Sequence, residues 1–257
     1  MQVWLASHLT SSKRLRMLVH QIESILCQSV PPCRLLLSIS FTDLHLPVRA
    51  TIDNVLVTKD TASAVHVEYY EGQRLHQFAH LLLLADRYPP LQSGAGLYDW
   101  VATCDDDDIC HSRRLERIAA VVRAHETEAP LDVVFCARLI GVLDCDVAID
   151  GIASADAAFA LPGKVCRYGD HGSMHVRESL LRAYLTQLRS ISSVTDCDMR
   201  AWLARRSIES NRQTTQYSDD VLYYQRRWTA EPGHWTDGDQ LQIAERVLRG
   251  DYVMVDR

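Results

Sequence analysis

Short apolar runs alternate with helix-like patterns along the first half of the chain. Residues 3–6, 34–41 and 64–70 have the length and the apolar or alternating pattern of strands. Between the first two runs a helix is predicted, with Ser11 or Ser12 as its N-cap and Pro31-Pro32 beyond its end. Its buried face is predicted to consist of Leu15, Leu18, Val19, Ile22, Ile25 and Leu26.

The alternation continues further along the chain. A helix is predicted at 73–86, a strand at 97–104, and then a helix whose apolar face holds Leu115, Ile118, Ala119 and Val122. A strand at 131–139, a helix at 176–189 and shorter helices at 198–206 and 239–248 follow. The order β-α-β-β-α-β-α, with continuously apolar strands, predicts an α/β fold: one domain with a central, mostly parallel sheet covered by helices on both faces.

Composition narrows the class of protein. The 257 residues are 47% hydrophobic and 23% charged with a net charge of −6, which argues against a general nucleic-acid binder. No apolar stretch approaches the ~20 residues that span a bilayer, and the N-terminal sequence lacks a signal-peptide pattern, so we expect a cytoplasmic protein without a membrane span. Eight cysteines include no CxxC pair, so we predict reduced thiols and no structural zinc.

Four consecutive aspartates, Asp105 to Asp108, directly follow the strand predicted at 97–104. In open α/β sheets, ligands bind beyond the carboxyl ends of the strands. Carboxylates in that position can hold Mg²⁺ or Mn²⁺ and leave coordination positions for substrate phosphates. The alternative is an acidic, solvated turn before the helix that begins near Ser112, which is the usual fate of a charge run. The aspartates by themselves leave both interpretations open.

The sequence around the aspartates, CDDDDICHSRRLE, resembles the DXD region of GT-A glycosyltransferases, particularly the family-2-type group. In that group a strand ends in D-x-D-D, followed by an apolar residue, His-Pro and Arg-Leu. The matching residues here are Asp105 to Asp108, Ile109, His111, Arg114 and Leu115, and Ser112 replaces the proline.

Three further stretches are similar to that family in order and spacing. They are the opening segment 3–32, which contains the S-I-L-x-Q-x-x-P pattern, the Gly-Ser segment HGSMHVRESLL, and the pair TDCDMRAWLARR and VLYYQRRWTAEPG. The resemblance covers residues 3 to about 230. It implies a single GT-A-like domain over 1–257, with a nucleotide-sugar-binding half at about 1–110 and an acceptor-binding half at about 111–257. The chain departs from the family where SISFTD replaces D-D-G-S and where Thr195 replaces Glu.

The resemblance implies a metal-dependent glycosyltransferase that moves a sugar from a nucleotide-diphosphate donor, most simply a UDP- or GDP-sugar, to a hydroxyl of a glycan or other acceptor. The implied cofactor is Mn²⁺ or Mg²⁺, with Asp107 as a direct ligand and Asp105 on the ribose or on the metal through water. Asp106 or Asp108 would shape the shell, although Asp108 could equally be a helix-side anion. Asp196, with Asp198 nearby, matches the base of inverting members.

The resemblance also implies roles for residues outside the aspartate segment. Donor binding is expected at Ala6, Ser7, His8, Ser40, Asp105, Asp106, Arg226 and Arg227, the two arginines as a diphosphate clamp. Metal binding is expected at Asp105, Asp107 and His234, and acceptor binding at Gly172, Ser173 and His175. Asp196 is also a natural helix N-cap. In a retaining enzyme it would not be the base, and the leaving diphosphate could take the proton.

Two other functions fit parts of the sequence. A sugar nucleotidyltransferase also uses strand-end carboxylates and Mg²⁺, but it would need a Gly-rich basic loop near the N-terminus. The segment ASHLTSSKRLR supplies Lys13, Arg14 and Arg16 without a glycine. A glycosyltransferase-like binding module without turnover is the non-catalytic alternative, and the intact Asp105, Asp107 and Asp196 argue against it.

Overall fold

The computed structural model describes residues 1–58, 64–91, 96–125, 131–141, 156–160, 164–166, 172–188, 199, 202 and 215–226. The strands in these ranges are β1 Gln2–Leu9, β2 Arg34–Phe41, β3 Ala64–Glu71, β4 Trp100–Cys104, β5 Ile109–Cys110, β6 Val133–Gly141, β7 Lys164–Cys166, β8 Met174–Arg177 and β9 Thr215–Arg226. The helices are α1 Ser12–Leu26, α2 Val48–Thr58, α3 Gln77–Arg87, α4 Arg114–His125 and α5 Glu178–Gln187.

The first four strands form a parallel sheet in the order β3-β2-β1-β4. The chain builds outward from β1 through β2 to β3, and then returns to place β4 on the other side of β1. Adjacent strands connected in opposite directions leave a crevice at their carboxyl ends, which is where open α/β sheets bind ligands. The carboxyl ends of β1 and β4 therefore mark the expected site.

The second half of the sheet is mixed. Strand β8 runs antiparallel between β4 and β6, while β9 pairs parallel with β6. The short strands β5 and β7 pair antiparallel with β9 and β6. Most of the paired residues belong to the parallel ladders, so the predicted α/β fold with a mostly parallel sheet is confirmed.

Helices cover both faces of the sheet because successive residues of the inner strands point to opposite sides. Val3 and Leu5 belong to one core cluster, which also contains the apolar faces of α1, α2 and α4. Trp4 belongs to the other cluster, formed with α3 and α5. Ser11 caps α1 by accepting the Arg14 backbone N–H at 3.3 Å. Leu15, Leu18, Ile22 and Ile25 of α1 and the four predicted residues of α4 are buried as predicted.

Several predicted boundaries were wrong, and one helix was missed. Helix α2 lies between β2 and β3, and a parallel pair of strands needs such a crossover. Its sequence, VRATIDNVLVT, is rich in β-branched residues, which hides its helical spacing. Residues 97–99 form a 3-10 turn instead of a strand start, α3 begins at Gln77, and residues 176–177 belong to β8.

The helices predicted at 198–206 and 239–248 lie outside the described residues, apart from Met199 and Trp202. Within the described ranges, no helix combines the length and the apolar character needed to cross a bilayer.

Candidate active site

The four aspartates lie between β4 and β5, at the carboxyl end of β4 and beside the end of β1. Their side chains alternate in exposure. Asp106 and Asp108 are buried, with 5% and 2% of their surface exposed, whereas Asp105 and Asp107 are partly exposed. A solvated turn would leave all four in water. The segment instead buries two of these side chains and leaves the other two partly exposed.

Asp106 joins the aspartates to the loop that follows β1. Its Oδ2 accepts a hydrogen bond from Ser7 Oγ at 2.6 Å, and its Oδ1 pairs with Arg14 Nη2 at 2.5 Å. Arg14 Nη1 also contacts Asp107 Oδ2 at 2.6 Å. Burial raises the pKa of Asp106 to about 6, and the charge of Arg14 opposes that rise. The first turn of α1 is thus attached to the aspartate segment by one guanidinium group.

Three distant parts of the chain hold Asp105. Gln77, the first residue of α3, donates its amide N–H to Asp105 Oδ1. The backbone N–H of Asp105 donates to Tyr223 Oη of β9 at 3.2 Å. Gly172 packs against both groups, because a Cβ there would lie 2.0 Å from Tyr223 Oη and 2.7 Å from Asp105 Oδ2. No residue with a side chain fits at position 172 without displacing them.

The outward carboxylates suit a hard divalent cation. Asp105 and Asp107 provide oxygen ligands, which Mg²⁺ and Mn²⁺ prefer. Among the described residues, no group of three or more His, Cys, Asp or Glu side chains converges on one point. Two carboxylates with phosphate and water oxygens form the shell that Mg²⁺ commonly adopts at phosphate sites. Any cation held by these two carboxylates would need its remaining oxygen ligands from water or from a bound phosphate.

A chain of polar side chains lies at the carboxyl ends of β1 and β2. His8 Nδ1 hydrogen-bonds Ser40 Oγ at 2.8 Å, and Ser40 Oγ in turn contacts His80 Nε2 at 2.9 Å. His80 Nδ1 hydrogen-bonds Ser38 Oγ at 2.7 Å. Burial lowers the pKa of His80 to about 4, so the ring is neutral, with one nitrogen donating and the other accepting.

The predicted donor-binding residues of β1 and β2 do not share one environment. Ala6, Ser7 and Ser40 are buried beneath the edge of the sheet. His8 is partly exposed and rests on Ser40, which makes it the member of this set that can reach a ligand. Sequence reasoning missed His80, although its position in the otherwise apolar run FAHLLLLA was a signal that the imidazole has a buried partner.

The side chains predicted to bind the acceptor are buried. Ser173 and His175 are fully buried, so neither side chain lies on an open surface that could receive an acceptor. His175 Nε2 accepts a hydrogen bond from Arg114 Nε at 3.1 Å. Burial and the charge of Arg114 hold the pKa of His175 well below its usual value. Both side chains lie beneath the aspartates, and the acceptor-binding role of Gly172, Ser173 and His175 stays a prediction.

Four other predicted site residues, Asp196, Asp198, Arg227 and His234, lie outside the described residues, and their roles stay predictions. The backbone of Arg226 ends β9, and its side chain also lies outside the described part.

No protein-family model matches the chain, and no curated protein matches it. Solved structures do match. S. aureus TarS 1-349 in complex with UDP-GlcNAc aligns over 96% of this chain and 65% of that chain, at 13% identity and a TM-score of 0.54. TarS 1-349 alone aligns over 88% and 60%, at 13% identity and a TM-score of 0.53.

A second protein has the same architecture. The mannosyltransferase PcManGT from Pyrobaculum calidifontis, in complex with GDP-Man and Mn²⁺, aligns over 88% of this chain and 57% of that chain, at 11% identity and a TM-score of 0.51. This chain thus spans between 57% and 65% of the length of these structures. Both proteins are GT-A glycosyltransferases. The fold that the resemblance over residues 3 to about 230 implied is confirmed: the chain has the GT-A fold.

Proposed function

We propose that the chain is a metal-dependent glycosyltransferase that transfers a sugar from a nucleotide-diphosphate donor to a hydroxyl acceptor. The observation that carries the proposal is the alternation within the aspartate segment. Asp105 and Asp107 are partly exposed just beyond the carboxyl end of β4, which pairs with β1, while Asp106 and Asp108 are buried. Outward carboxylates at that position of a GT-A fold suit a divalent cation and the diphosphate that it binds.

Each half of the chain contributes to this arrangement. In the first half of the chain, which we assign to donor binding, the aspartates are contacted by Ser7, Arg14 and Gln77. In the second half, which we assign to acceptor binding, Asp105 is contacted by Gly172 and Tyr223. Asp107 is the proposed direct ligand, and Asp105 the proposed ligand to the ribose or, through water, to the cation. A bound Mn²⁺ or Mg²⁺ would stabilise the negative charge that develops on the leaving diphosphate.

The chain's own side chains do the remaining work in this proposal. His8 is the proposed contact to the donor nucleotide, since it is partly exposed and oriented by Ser40. Arg14 lies within contact distance of Asp107 and is placed to exchange that carboxylate for a phosphate oxygen of the donor. In an inverting reaction, Asp196 would remove the proton from the acceptor hydroxyl.

The ligands of the structural neighbours support the proposed donor class. Their ligands are UDP-GlcNAc, UDP and GDP-Man, so a UDP- or GDP-sugar is the proposed donor for this chain as well. CMP and ADP serve as discriminating alternatives in the experiment below.

Calorimetric titration with UDP, GDP, CMP and ADP tests the proposal, each in Mn²⁺, in Mg²⁺ and in EDTA. We expect one of the uridine or guanosine nucleotides to bind in Mn²⁺ or Mg²⁺ and to lose at least tenfold in affinity in EDTA. Asp107→Ala should abolish the metal-dependent part. The matched control is Asp53→Ala, which removes an exposed carboxylate on α2 and should leave binding unchanged. Failure of every nucleotide to bind in every metal condition would refute the proposal.

A further inference from the structure

Beneath the aspartate segment lies a buried arginine whose contacts with the described residues include no carboxylate. Arg114, the first residue of α4, is 1% exposed. All five of its guanidinium N–H groups have acceptors: Nε donates to His175, Nη2 to the carbonyls of Gly172 and Thr103, and Nη1 to the sulfurs of Cys110 and Cys104. None of the ion pairs among the described residues includes Arg114.

A buried guanidinium group needs a compensating anion, because it cannot lose its proton and its removal from water is unfavourable. The sulfur of Cys110 is the contact best placed to supply one. It lies 3.1 Å from Arg114 Nη1 and accepts a second hydrogen bond from Gln21 Nε2 at 3.6 Å. Burial alone would raise the pKa of Cys110, but a hydrogen bond from Cys104 and the charge of Arg114 lower it to about 6.

The second thiol is adjacent to the first. Cys104 Sγ lies 3.8 Å from Cys110 Sγ, and both cysteines are free. Cys104 is the last residue of β4 and Cys110 the last of β5, so the pair brackets the four aspartates. Both cysteines line a narrow void too small for a water molecule, and their sulfurs would have to move closer by about 2 Å to reach the ~2.05 Å of a disulfide bond.

We propose that Cys104 and Cys110 form a reversible disulfide on reaction with a hydroperoxide, with Cys110 as the attacking sulfur. The Cys110 thiolate attacks one oxygen of hydrogen peroxide and the O–O bond breaks. The other oxygen leaves as hydroxide, and Cys110 becomes a sulfenic acid. Cys104 sulfur then attacks Cys110 sulfur, the S–O bond breaks, and water leaves with the Cys104 proton. Two thiols lose two electrons and the peroxide is reduced.

The disulfide would have a consequence for the candidate active site. It removes the sulfur anion that faces Arg114 and ties together the two ends of the segment that carries Asp105 and Asp107. We expect oxidised protein to bind the metal and nucleotide more weakly than reduced protein. This consequence rests on the proposed function, whereas the formation of the disulfide does not.

Peptide mapping tests the disulfide directly. The reduced chain is treated with hydrogen peroxide, its free thiols are alkylated, and it is digested with trypsin, which leaves both cysteines on one peptide, residues 88–113. We expect this peptide to lose two hydrogen atoms, to resist alkylation, and to recover both thiols in dithiothreitol. Because both sulfurs are buried, oxidation should be slower than that of the partly exposed Cys33 and Cys166.

Single variants identify the attacking sulfur. In Cys104→Ser, Cys110 should be trapped as a sulfenic acid by dimedone, whereas Cys110→Ser should give no dimedone adduct at Cys104. Cys136→Ser is the matched control, because Cys136 is equally buried but directs its thiol to the Ser173 carbonyl, and it should form the disulfide normally. The mapping uses the unaltered chain, so it remains decisive if a serine variant fails to fold.

Three results would overturn the proposal: both thiols still alkylated after prolonged exposure to excess peroxide, a disulfide from either residue to another cysteine, or a dimedone adduct on Cys104. A separate titration compares Mn²⁺-dependent nucleotide binding by oxidised and reduced protein. We expect at least a fivefold loss, reversed by dithiothreitol. If the disulfide forms and reduced protein binds no nucleotide, the proposed function fails while the oxidation site stands. If reduced and oxidised protein bind equally, the link to the aspartates is wrong.

Discussion

Acid should destabilise this fold through one buried imidazole, His80. Burial lowers its pKa to about 4 from a reference value of about 6.5, and the neutral ring bonds both Ser38 and Ser40. Below pH 6.5, His80 takes up a proton in the unfolded chain. In the folded chain it stays neutral until the pH approaches 4. Stability from this group is therefore complete above pH 6.5 and is lost as the pH falls from 6.5 to 4. Between pH 7 and pH 5 the loss is about 2 kcal/mol.

The measurement is the urea unfolding free energy of the wild type and of His80→Gln at pH 7 and at pH 5, in constant salt and with a reductant. We expect the advantage of the wild type over the variant to shrink by about 2 kcal/mol at the lower pH, since glutamine has no proton to take up. The control His66→Gln replaces an exposed imidazole on β3 and should track the wild type at both values. An advantage that stays constant between the two pH values would refute the assignment of a buried, neutral His80.

Other consequences follow from the site and from the helix ends. Gly172→Ala should lower the unfolding free energy by about 1 to 3 kcal/mol in urea titrations, because its Cβ collides with Tyr223 Oη, and Tyr223→Phe in the same chain should recover part of the loss. Ser11→Ala should cost about 1 kcal/mol in the same assay, because α1 loses its N-cap. Asp196→Asn should reduce turnover at least a hundredfold in a transfer assay while leaving the affinity for the donor nucleotide within twofold of the wild type, if the reaction inverts configuration.

Local patterns predicted the strands and helices whose burial is continuous or strictly periodic. Strand β2 was predicted at its observed bounds because all eight residues are buried, and α4 was predicted from four apolar residues on one face. Helix α2 was missed because β-branched residues favour strands and only three of its residues are buried. Hydrophobic periodicity predicts an element well when one whole face, or the whole element, is buried. It predicts a helix poorly when only a few of the residues of that helix are buried.

In the candidate site, too, some residues could be predicted from the sequence and others could not. The outward aspartates could be found because they are consecutive and directly follow a buried strand. Their partners could not, because Arg14 lies 92 residues from Asp106 and Tyr223 lies 118 residues from Asp105, so only the topology brings them together. Arg14 carried a local clue, since a cation in the first turn of a helix is unfavourable there unless an anion faces it.

Electrostatics explains why four adjacent aspartates are suited to a cation rather than to a structural turn. Two unit charges about 5 Å apart repel by about 3 kcal/mol at an effective dielectric of about 20, and by under 1 kcal/mol in water. Burying Asp106 and Asp108 moves the segment toward the first limit, and one guanidinium group, Arg14, contacts the carboxylates. With all four ionised, the segment and Arg14 together carry an excess of three negative charges. A divalent cation on Asp105 and Asp107, as proposed above, would remove most of that excess, so the repulsion within the segment would favour the binding of such a cation.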